Sequence, residues 1–179
     1  NGNLCWAPAD GSGVVQTLLT RANMQTPVSW SPDGRTLAFH EVNPDTGADI
    51  YMLHLDDGQE PEPFLNTTFD VRAPQFSPAG RWLAYVSNES GRNAVYVRPY
   101  PGAEKKWIVS TEGGSEPRWS SDGRELFYRQ GSMMKVAAVT TEPAFSIGER
   151  RELFGGSYDS NPTSCLPAYD VTPDGKHFV

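Results

Sequence analysis

Short apolar strands separated by small polar turns recur along the whole chain. In the first example, an apolar segment enters the turn Ser31-Pro32-Asp33-Gly34 and a second apolar segment, Leu37-Ala38-Phe39, leaves it. Pro, Asp and Gly favour tight turns, and Gly supplies the positive φ angle that such turns need. The pattern therefore predicts a β-hairpin. Variants of it occupy residues 28–40, 75–87, 118–129 and 170–179.

The turn glycines indicate that these hairpins are repeats of one larger unit. Gly34, Gly80, Gly123 and Gly175 recur at intervals of 43 to 52 residues, which fits a four-stranded propeller blade of roughly 40–50 residues. The second strands of the first three repeats are apolar at consecutive positions, so both of their faces need burial. Stacked blades provide that burial. We therefore predict an all-β fold, a β-propeller of four-stranded antiparallel blades.

The repeats divide the chain into three whole blades and two half-blades, which together would form about four blades in one domain over residues 1–179. The N-terminal segment resembles the second half of a blade, and the C-terminal segment resembles the first half. The two halves would complete one blade and close a ring without exposed edges. The alternative is a fragment of a larger propeller. The predicted boundaries are a half-blade at 2–20, blades at 25–69, 70–111 and 113–154, and a half-blade at 168–179.

Charge and cysteine content narrow the classes of partner. The formal net charge is −7 and the isoelectric point is about 4.9, which disfavours nucleic acid and anionic membranes because both attract basic surfaces. No apolar run reaches the length of about 18 residues that a membrane span needs, so direct membrane insertion is not expected.

We expect Cys5 and Cys165 to be two buried thiols; the alternative is a disulfide that joins the two ends of the chain.

The recurring acids have a structural explanation. An Asp in a tight turn accepts hydrogen bonds from backbone N–H groups, and Ala79 takes its place in the second repeat. The loop at 43–49 spaces oxygen ligands as a calcium loop does but lacks the terminal Glu, and the three histidines show no metal-binding spacing. We therefore predict no metal and no cofactor. The predicted turn residues are Asp33, Gly34, Gly80, Asp122, Gly123, Asp174 and Gly175.

The repeats resemble the TolB-type, WD40-like (PD40) β-propeller repeats of bacteria over nearly the whole chain. Residues 95–102, 125–129 and 139–143 further resemble propellers attached to bacterial serine/threonine protein kinases. The resemblance implies a non-catalytic module for protein interaction or ligand sensing, outside the cytoplasmic membrane, although a cytoplasmic location is the alternative. A second functional hypothesis is the accessory propeller of a prolyl-oligopeptidase-type serine peptidase. The chain itself has no G-x-S-x-G elbow and no kinase motif, so we do not expect an enzyme.

In propellers of this family the first strand of each blade lines the central channel. The residue two positions before each turn Ser or Thr is then expected in the lining, namely Ser29, Gln75, Arg118 and Asp170. Polar residues there are also expected simply because a channel holds water. The sharper hypothesis is a mixed-charge mouth that binds a protein or peptide partner. Its predicted residues are Arg72, Gln75, Glu116, Arg118, Tyr169 and Asp170, and a small polar ligand is the alternative occupant. Most of the aromatic residues Trp6, Trp82, Trp107 and Tyr100 are expected in the core between blades, and one left on the rim would be an alternative partner anchor.

Overall fold

A computed structural model of the chain describes residues 2–56, 60–102, 105–157 and 166–179. All regular elements in these residues are β-strands, and no helix long and apolar enough to span a membrane occurs among them. The strands are β1 (Leu4–Trp6), β2 (Gln16–Leu19), β3 (Gln25–Trp30), β4 (Thr36–Asn43), β5 (Gly47–His54), β6 (Glu62–Leu65), β7 (Val71–Phe76), β8 (Trp82–Ser87), β9 (Ala94–Pro99), β10 (Trp107–Ile108), β11 (Ser115–Trp119), β12 (Glu125–Gln130), β13 (Met133–Thr140) and β14 (Ser146–Gly155).

Twelve of these strands form three four-stranded antiparallel sheets in which spatial order follows chain order. Blade 1 is β3–β4–β5–β6, blade 2 is β7–β8–β9–β10 and blade 3 is β11–β12–β13–β14. The first strand of each blade contains a register irregularity, for example between Arg72 and Gln75 in β7. These sheets confirm the predicted all-β fold of four-stranded antiparallel blades.

The two ends of the chain do not share a sheet in the described residues. Strand β1 pairs with β2 in a separate two-stranded sheet, and a bridge between Val171 and Phe178 forms the C-terminal hairpin. The N-terminal hairpin packs on blade 1 through Leu4 and Leu19, whereas the C-terminal hairpin packs on blade 3. The expected closure of a four-bladed ring is therefore absent from this part of the chain, and the arrangement fits a fragment of a larger propeller.

Neighbouring blades pack face to face through apolar side chains. Ala38 of blade 1 packs with Leu83 and Tyr85 of blade 2, and all three are at most 1 % exposed. Between blades 2 and 3, Phe145 contacts Trp82 with ring centroids 5.1 Å apart. Because the second strand of each blade meets a neighbour on either face, consecutive apolar residues are buried there. This burial explains the continuous apolar pattern in the sequence.

The repeated turns have one geometry, and those of blades 1 to 3 stack on each other. In the first, Asp33 Oδ1 accepts hydrogen bonds from Ser31 Oγ at 2.6 Å and from the Arg35 backbone N–H at 3.1 Å, and these bonds lower the pKa of Asp33. Asp122 and Asp174 accept the equivalent bonds in their turns. Gly34, Gly80, Gly123 and Gly175 all have φ near 70°. A Cβ added at Gly80 would lie 3.2 Å from Pro32 Cδ, so the turns of blades 1 and 2 are in contact.

The expectation of two buried thiols is wrong for Cys5. This cysteine is free and exposed on β1, where its Sγ lies 3.9 Å from Thr17 Oγ1. A three-residue strand in a two-stranded sheet leaves Cys5 and Trp6 uncovered while Leu4 is buried. Cys165, the partner in the alternative disulfide, lies outside the described residues.

Candidate functional site

One residue from each successive repeat contributes to a continuous polar row, which we call the first-strand row: Ser29, Gln75, Arg118 and Asp170. Ser29 Oγ accepts a hydrogen bond from the Phe76 backbone N–H at 3.1 Å, which links blade 1 to blade 2. Trp119 Nε1 donates to the Gln75 carbonyl oxygen at 3.1 Å, which links blade 2 to blade 3. Arg118 Nε lies 3.9 Å from Asp170 Oδ1 of the C-terminal hairpin. These contacts connect the first strands of blades 1 to 3 with the C-terminal hairpin.

Three members of this row line a cavity of about 260 Å³, the first-strand groove. Blade 1 contributes Trp30 and Pro32 to the wall, and Trp30 is 45 % exposed. These wall residues were not among the predicted site residues, although they belong to the same repeated turn motif as the row. The full lining consists of Trp30, Pro32, Gln75, Phe76, Ser77, Pro78, Arg118, Trp119, Ser120, Ser121 and Asp170.

Two hydrogen-bond donors at this groove lack acceptors. Gln75 is only 6 % exposed, and its side-chain Nε2 has no hydrogen-bond partner among the described residues. Arg118 Nε is also buried without a hydrogen bond in the same part of the chain, because Asp170 is too distant at 3.9 Å. Buried donors without acceptors are unfavourable and are uncommon in folded proteins. A ligand with acceptor atoms would satisfy both donors once the Gln75 and Arg118 side chains turn toward the groove.

Glu116 and Tyr169 do not form an exposed mouth, contrary to the expectation. Glu116 is 2 % exposed and its Oε2 accepts a hydrogen bond from the Ala168 backbone N–H at 2.9 Å. Tyr169 Oη donates to the Glu116 carbonyl oxygen at 2.8 Å, and burial raises the pKa of Tyr169. Arg129 Nη1 lies 3.9 Å from Glu116 Oε2. These groups form an internal polar cluster, the Glu116 cluster, which fixes the C-terminal hairpin on blade 3.

Arg72 lies outside the lining of the groove and is engaged elsewhere. Its guanidinium donates through Nε to Asp70 Oδ1 at 3.2 Å, and the two side chains form an ion pair. It also lies near His40, which is fully buried on β4 and has no hydrogen bond at either ring nitrogen among the described residues. Burial, assisted by the positive charge of Arg72, lowers the pKa of His40 to about 4. His40 is therefore neutral at pH 7.

The proposed aromatic anchors divide into packed and exposed residues. Trp82 and Trp107 pack against each other and against Phe145 between blades 2 and 3. Tyr100 packs edge-on against Phe76, with centroids 4.9 Å apart. Trp6 is 47 % exposed, and its Nε1 donates to Gln16 Oε1 at 2.9 Å. Only Trp6 of these four is at least as exposed as Trp30.

No group of three or more His, Cys, Asp or Glu side chains is arranged to hold a metal ion in the described ranges. His54 Nδ1 lies 3.0 Å from Thr36 Oγ1. His177 lines a separate cavity of about 750 Å³ beside the C-terminal hairpin. The chemistry available at the first-strand groove is thus hydrogen bonding by amide and guanidinium groups, flanked by aromatic and proline surfaces.

The sequence model of the family described as "TolB beta propeller domain" (PD40) matches residues 4–175. The Tol-Pal system protein TolB of Alcanivorax borkumensis is 33 % identical over 91 residues, which cover 49 % of this chain and 20 % of that protein. The uncharacterized peptidase YuxL of Bacillus subtilis is 27 % identical over 150 residues, which cover 84 % of this chain and 20 % of that protein. The chain thus spans about a fifth of the length of these curated relatives.

Solved structures show the same fold. The crystal structure of TolB from Acinetobacter baumannii superposes with a TM-score of 0.70 at 19 % sequence identity. The match covers 95 % of this chain and 40 % of the TolB chain.

Proposed function

The chain belongs to the TolB β-propeller family, and on this premise we propose that it is a non-catalytic module that binds a protein or peptide partner at the first-strand groove. The observation that carries the proposal is the pair of buried donors, Gln75 Nε2 and Arg118 Nε, that no described residue satisfies. The groove joins three blades and the C-terminal hairpin, so a ligand there contacts side chains held by separate sheets. Sites built on rigid elements hold their side chains in place before the ligand arrives.

The module is proposed to be part of a larger bacterial protein that acts outside the cytoplasmic membrane. Relatives named for the Tol-Pal system support a role in protein assemblies. The further proposal of a receptor-type kinase rests on the resemblance of residues 95–102, 125–129 and 139–143 to kinase-linked propellers. The parent reading frame tests it: an upstream kinase domain and membrane helix would support the proposal, and a frame without a kinase domain would contradict it.

The accessory propeller of a serine peptidase is the second candidate function. It is favoured by the relative named as a peptidase, which matches 84 % of this chain. In this case the groove would contact a substrate for a catalytic domain elsewhere in the protein. A downstream G-x-S-x-G domain in the parent reading frame would support this candidate against the kinase-linked one.

Partner capture tests the binding proposal directly. The chain, immobilised on beads, is incubated with cell-envelope extract of the source bacterium, and captured proteins are identified by mass spectrometry. Arg118→Met removes a groove donor, whereas Arg124→Met removes the same charge from an 84 % exposed side chain of the neighbouring turn. We expect a specific partner to be lost with Arg118→Met and retained with Arg124→Met. Equal capture by both variants would contradict binding at the groove.

A further inference from the structure

The groove has unmet donors, whereas three acceptors beside them already receive hydrogen bonds. The Gln75 carbonyl oxygen accepts from Trp119, and Ser77 Oγ accepts from the Trp82 backbone N–H at 3.2 Å. Ser29 Oγ likewise accepts from the Phe76 N–H. A ligand that satisfies Gln75 Nε2 and Arg118 Nε must therefore supply acceptor atoms itself.

The positive charge of Arg118 favours a negatively charged hydrogen-bond acceptor over a neutral one. A guanidinium prefers the paired oxygens of a carboxylate, because its N–H groups match them in spacing and direction. The C-terminal hairpin already places one carboxylate opposite this residue, namely that of Asp170. That carboxylate is 3.9 Å away and its side chain is 67 % exposed, so it leaves the Arg118 Nε–H without a hydrogen bond. A ligand carboxylate could approach closer and displace it.

The charged side chains in the lining balance each other, in contrast to the net charge of −7 for the whole chain. Among the described residues, the charged side chains in its lining are Arg118 and Asp170. Asp122 of the adjacent turn is a further negative charge, and its hydrogen bonds from Ser120 Oγ at 2.7 Å and the Arg124 N–H at 3.0 Å lower its pKa. Beyond about 8 Å, physiological salt screens the remaining acidic surface. The nearest charges therefore decide which ligand binds.

We infer that the first-strand groove binds a carboxylate of its peptide partner, with Arg118 and Gln75 donating hydrogen bonds to the carboxylate oxygens. The inference rests on the proposed function, since it specifies the chemistry of that same site. Trp30, Pro32 and Pro78 form an apolar wall beside these donors. This wall suits the aliphatic and backbone atoms next to the carboxylate. The carboxylate belongs either to an acidic side chain or to a peptide C-terminus.

Titrations followed by NMR with blocked tripeptide probes test the inference. Ac-Gly-Glu-Gly-NH₂ carries a side-chain carboxylate, Ac-Gly-Gly-Gly-OH carries a C-terminal one, and Ac-Gly-Gln-Gly-NH₂ is the neutral analogue of the first. We expect at least one acidic probe to shift the Gln75 side-chain amide and Arg118 Nε–H resonances in a saturable manner. The stronger acidic probe identifies the source of the carboxylate. Equal shifts with the neutral probe, or no shifts with either acidic probe, would overturn the inference.

Matched variants locate the binding. Arg118→Met should lower the affinity for the acidic probe about tenfold or more, because a charged hydrogen-bond donor is lost. Gln75→Glu preserves shape and adds a like charge, so it should also weaken binding. Arg124→Met should leave the affinity within about twofold, since an exposed charge contributes little. Equal weakening by Arg124→Met and Arg118→Met would contradict a specific site.

Additional controls keep the outcome interpretable. Arg118→Lys retains the charge while removing the Nε–H, so it still tests the donor if Arg118→Met does not fold; an affinity equal to wild type would overturn the role of that donor. The inference and the proposed function also fail in different ways. If no acidic probe binds but partner capture still depends on Arg118, the carboxylate inference falls. If an acidic probe binds but capture ignores Arg118→Met, the proposed partner site falls.

Discussion

Two interfaces of the molecule bury a basic side chain at the same position of the second strand. In one interface the side chain is uncharged, and in the other it is charged and lies beside a carboxylate. Between blades 1 and 2 this residue is His40, paired across the sheet with Thr26. Between blade 3 and the C-terminal hairpin it is Arg129, paired with Ser115. His40 is neutral and lacks hydrogen bonds in the described part of the chain, whereas Arg129 lies beside the buried carboxylate of Glu116.

The difference follows from proton affinity. An imidazole loses its proton when it is buried, so no counter-charge is needed at pH 7. A guanidinium does not lose its proton in proteins, and burial therefore requires an opposite charge nearby. The equivalent residue of blade 2 is Val86, which pairs with Arg72 across the sheet and carries no charge to be buried. The same strand position thus holds a neutral base, a charged residue in an ion pair or an apolar side chain. The charged residue requires that the element packed against it supplies the opposite charge.

The largest expected effect comes from removing one partner of the ion pair. Arg129→Met should reduce the free energy of unfolding by about 3 to 5 kcal/mol, because it leaves the Glu116 carboxylate buried without a counter-charge. Adding Glu116→Gln should restore a large part of this loss, since the neutral amide still accepts from the Ala168 N–H. Urea unfolding of the single and double variants measures both values. A double variant no more stable than the single would contradict the pairing.

The His40 interface should instead respond to pH. The pKa of His40 is lowered to about 4 in the folded chain from 6.5, so the unfolded chain binds the extra proton between these values. Stability is therefore complete above pH 6.5 and falls as the pH decreases toward 4, by on the order of 3 kcal/mol. His40→Val, which copies blade 2, should remove this component. Parallel losses of stability in wild type and His40→Val over this window would refute the assignment.

A smaller and local effect is expected at the Glu116 cluster. Tyr169→Phe removes the hydrogen bond to the Glu116 carbonyl oxygen, which contributes about 1 kcal/mol. The C-terminal hairpin should then open more often, so the Thr172 amide, which donates to His177 O, should exchange about fivefold faster. The Ser31 amide in the first turn serves as the internal control. Equal acceleration at both amides would indicate global rather than local destabilisation.

The smallest expected effect is a difference in stability between two Gly→Ala variants, one in the turn of blade 2 and one in the turn of the C-terminal hairpin. Gly80→Ala and Gly175→Ala each force Ala into a positive φ conformation, at a cost of roughly 1–2 kcal/mol. The new Cβ at Gly80 would lie 3.2 Å from Pro32 Cδ, whereas no described heavy atom lies within 4 Å of one at Gly175. Gly80→Ala should therefore be the more destabilising by about 0.5 kcal/mol, on the scale of mild overpacking. Chemical denaturation that ranks the two variants in reverse would contradict stacking of the turns.

The sequence allowed prediction of features that depend on nearby residues. The Asp33 and Gly34 turn and the apolar second strands were predictable because turn chemistry and burial on both faces act within one hairpin. The Glu116 cluster was not, because Ala168 and Tyr169 contact Glu116 from 52 and 53 residues away. The exposure of Cys5 was missed for the same reason, since it depends on what covers β1.

The candidate site was predictable only in part. The repeat alignment identified Gln75, Arg118 and Asp170, because equivalent positions in stacked repeats fall next to each other. The prediction also included Arg72 and Glu116, which lie on first strands, and Tyr169 of the C-terminal segment, but all three are engaged in internal contacts. Sequence pattern gives the position of a residue along a strand, whereas its availability to a ligand depends on partners from other blades.

The first-strand row draws each of its side chains from a different repeat. Each of these residues belongs to its own hairpin, so a codon change at one position leaves the turn motifs and strand sequences of the other repeats unaltered. Duplication or deletion of a repeat would lengthen or shorten the row by one side chain. Under the proposed function, binding preference can therefore change by one side chain at a time, while the hairpins that carry the row are retained.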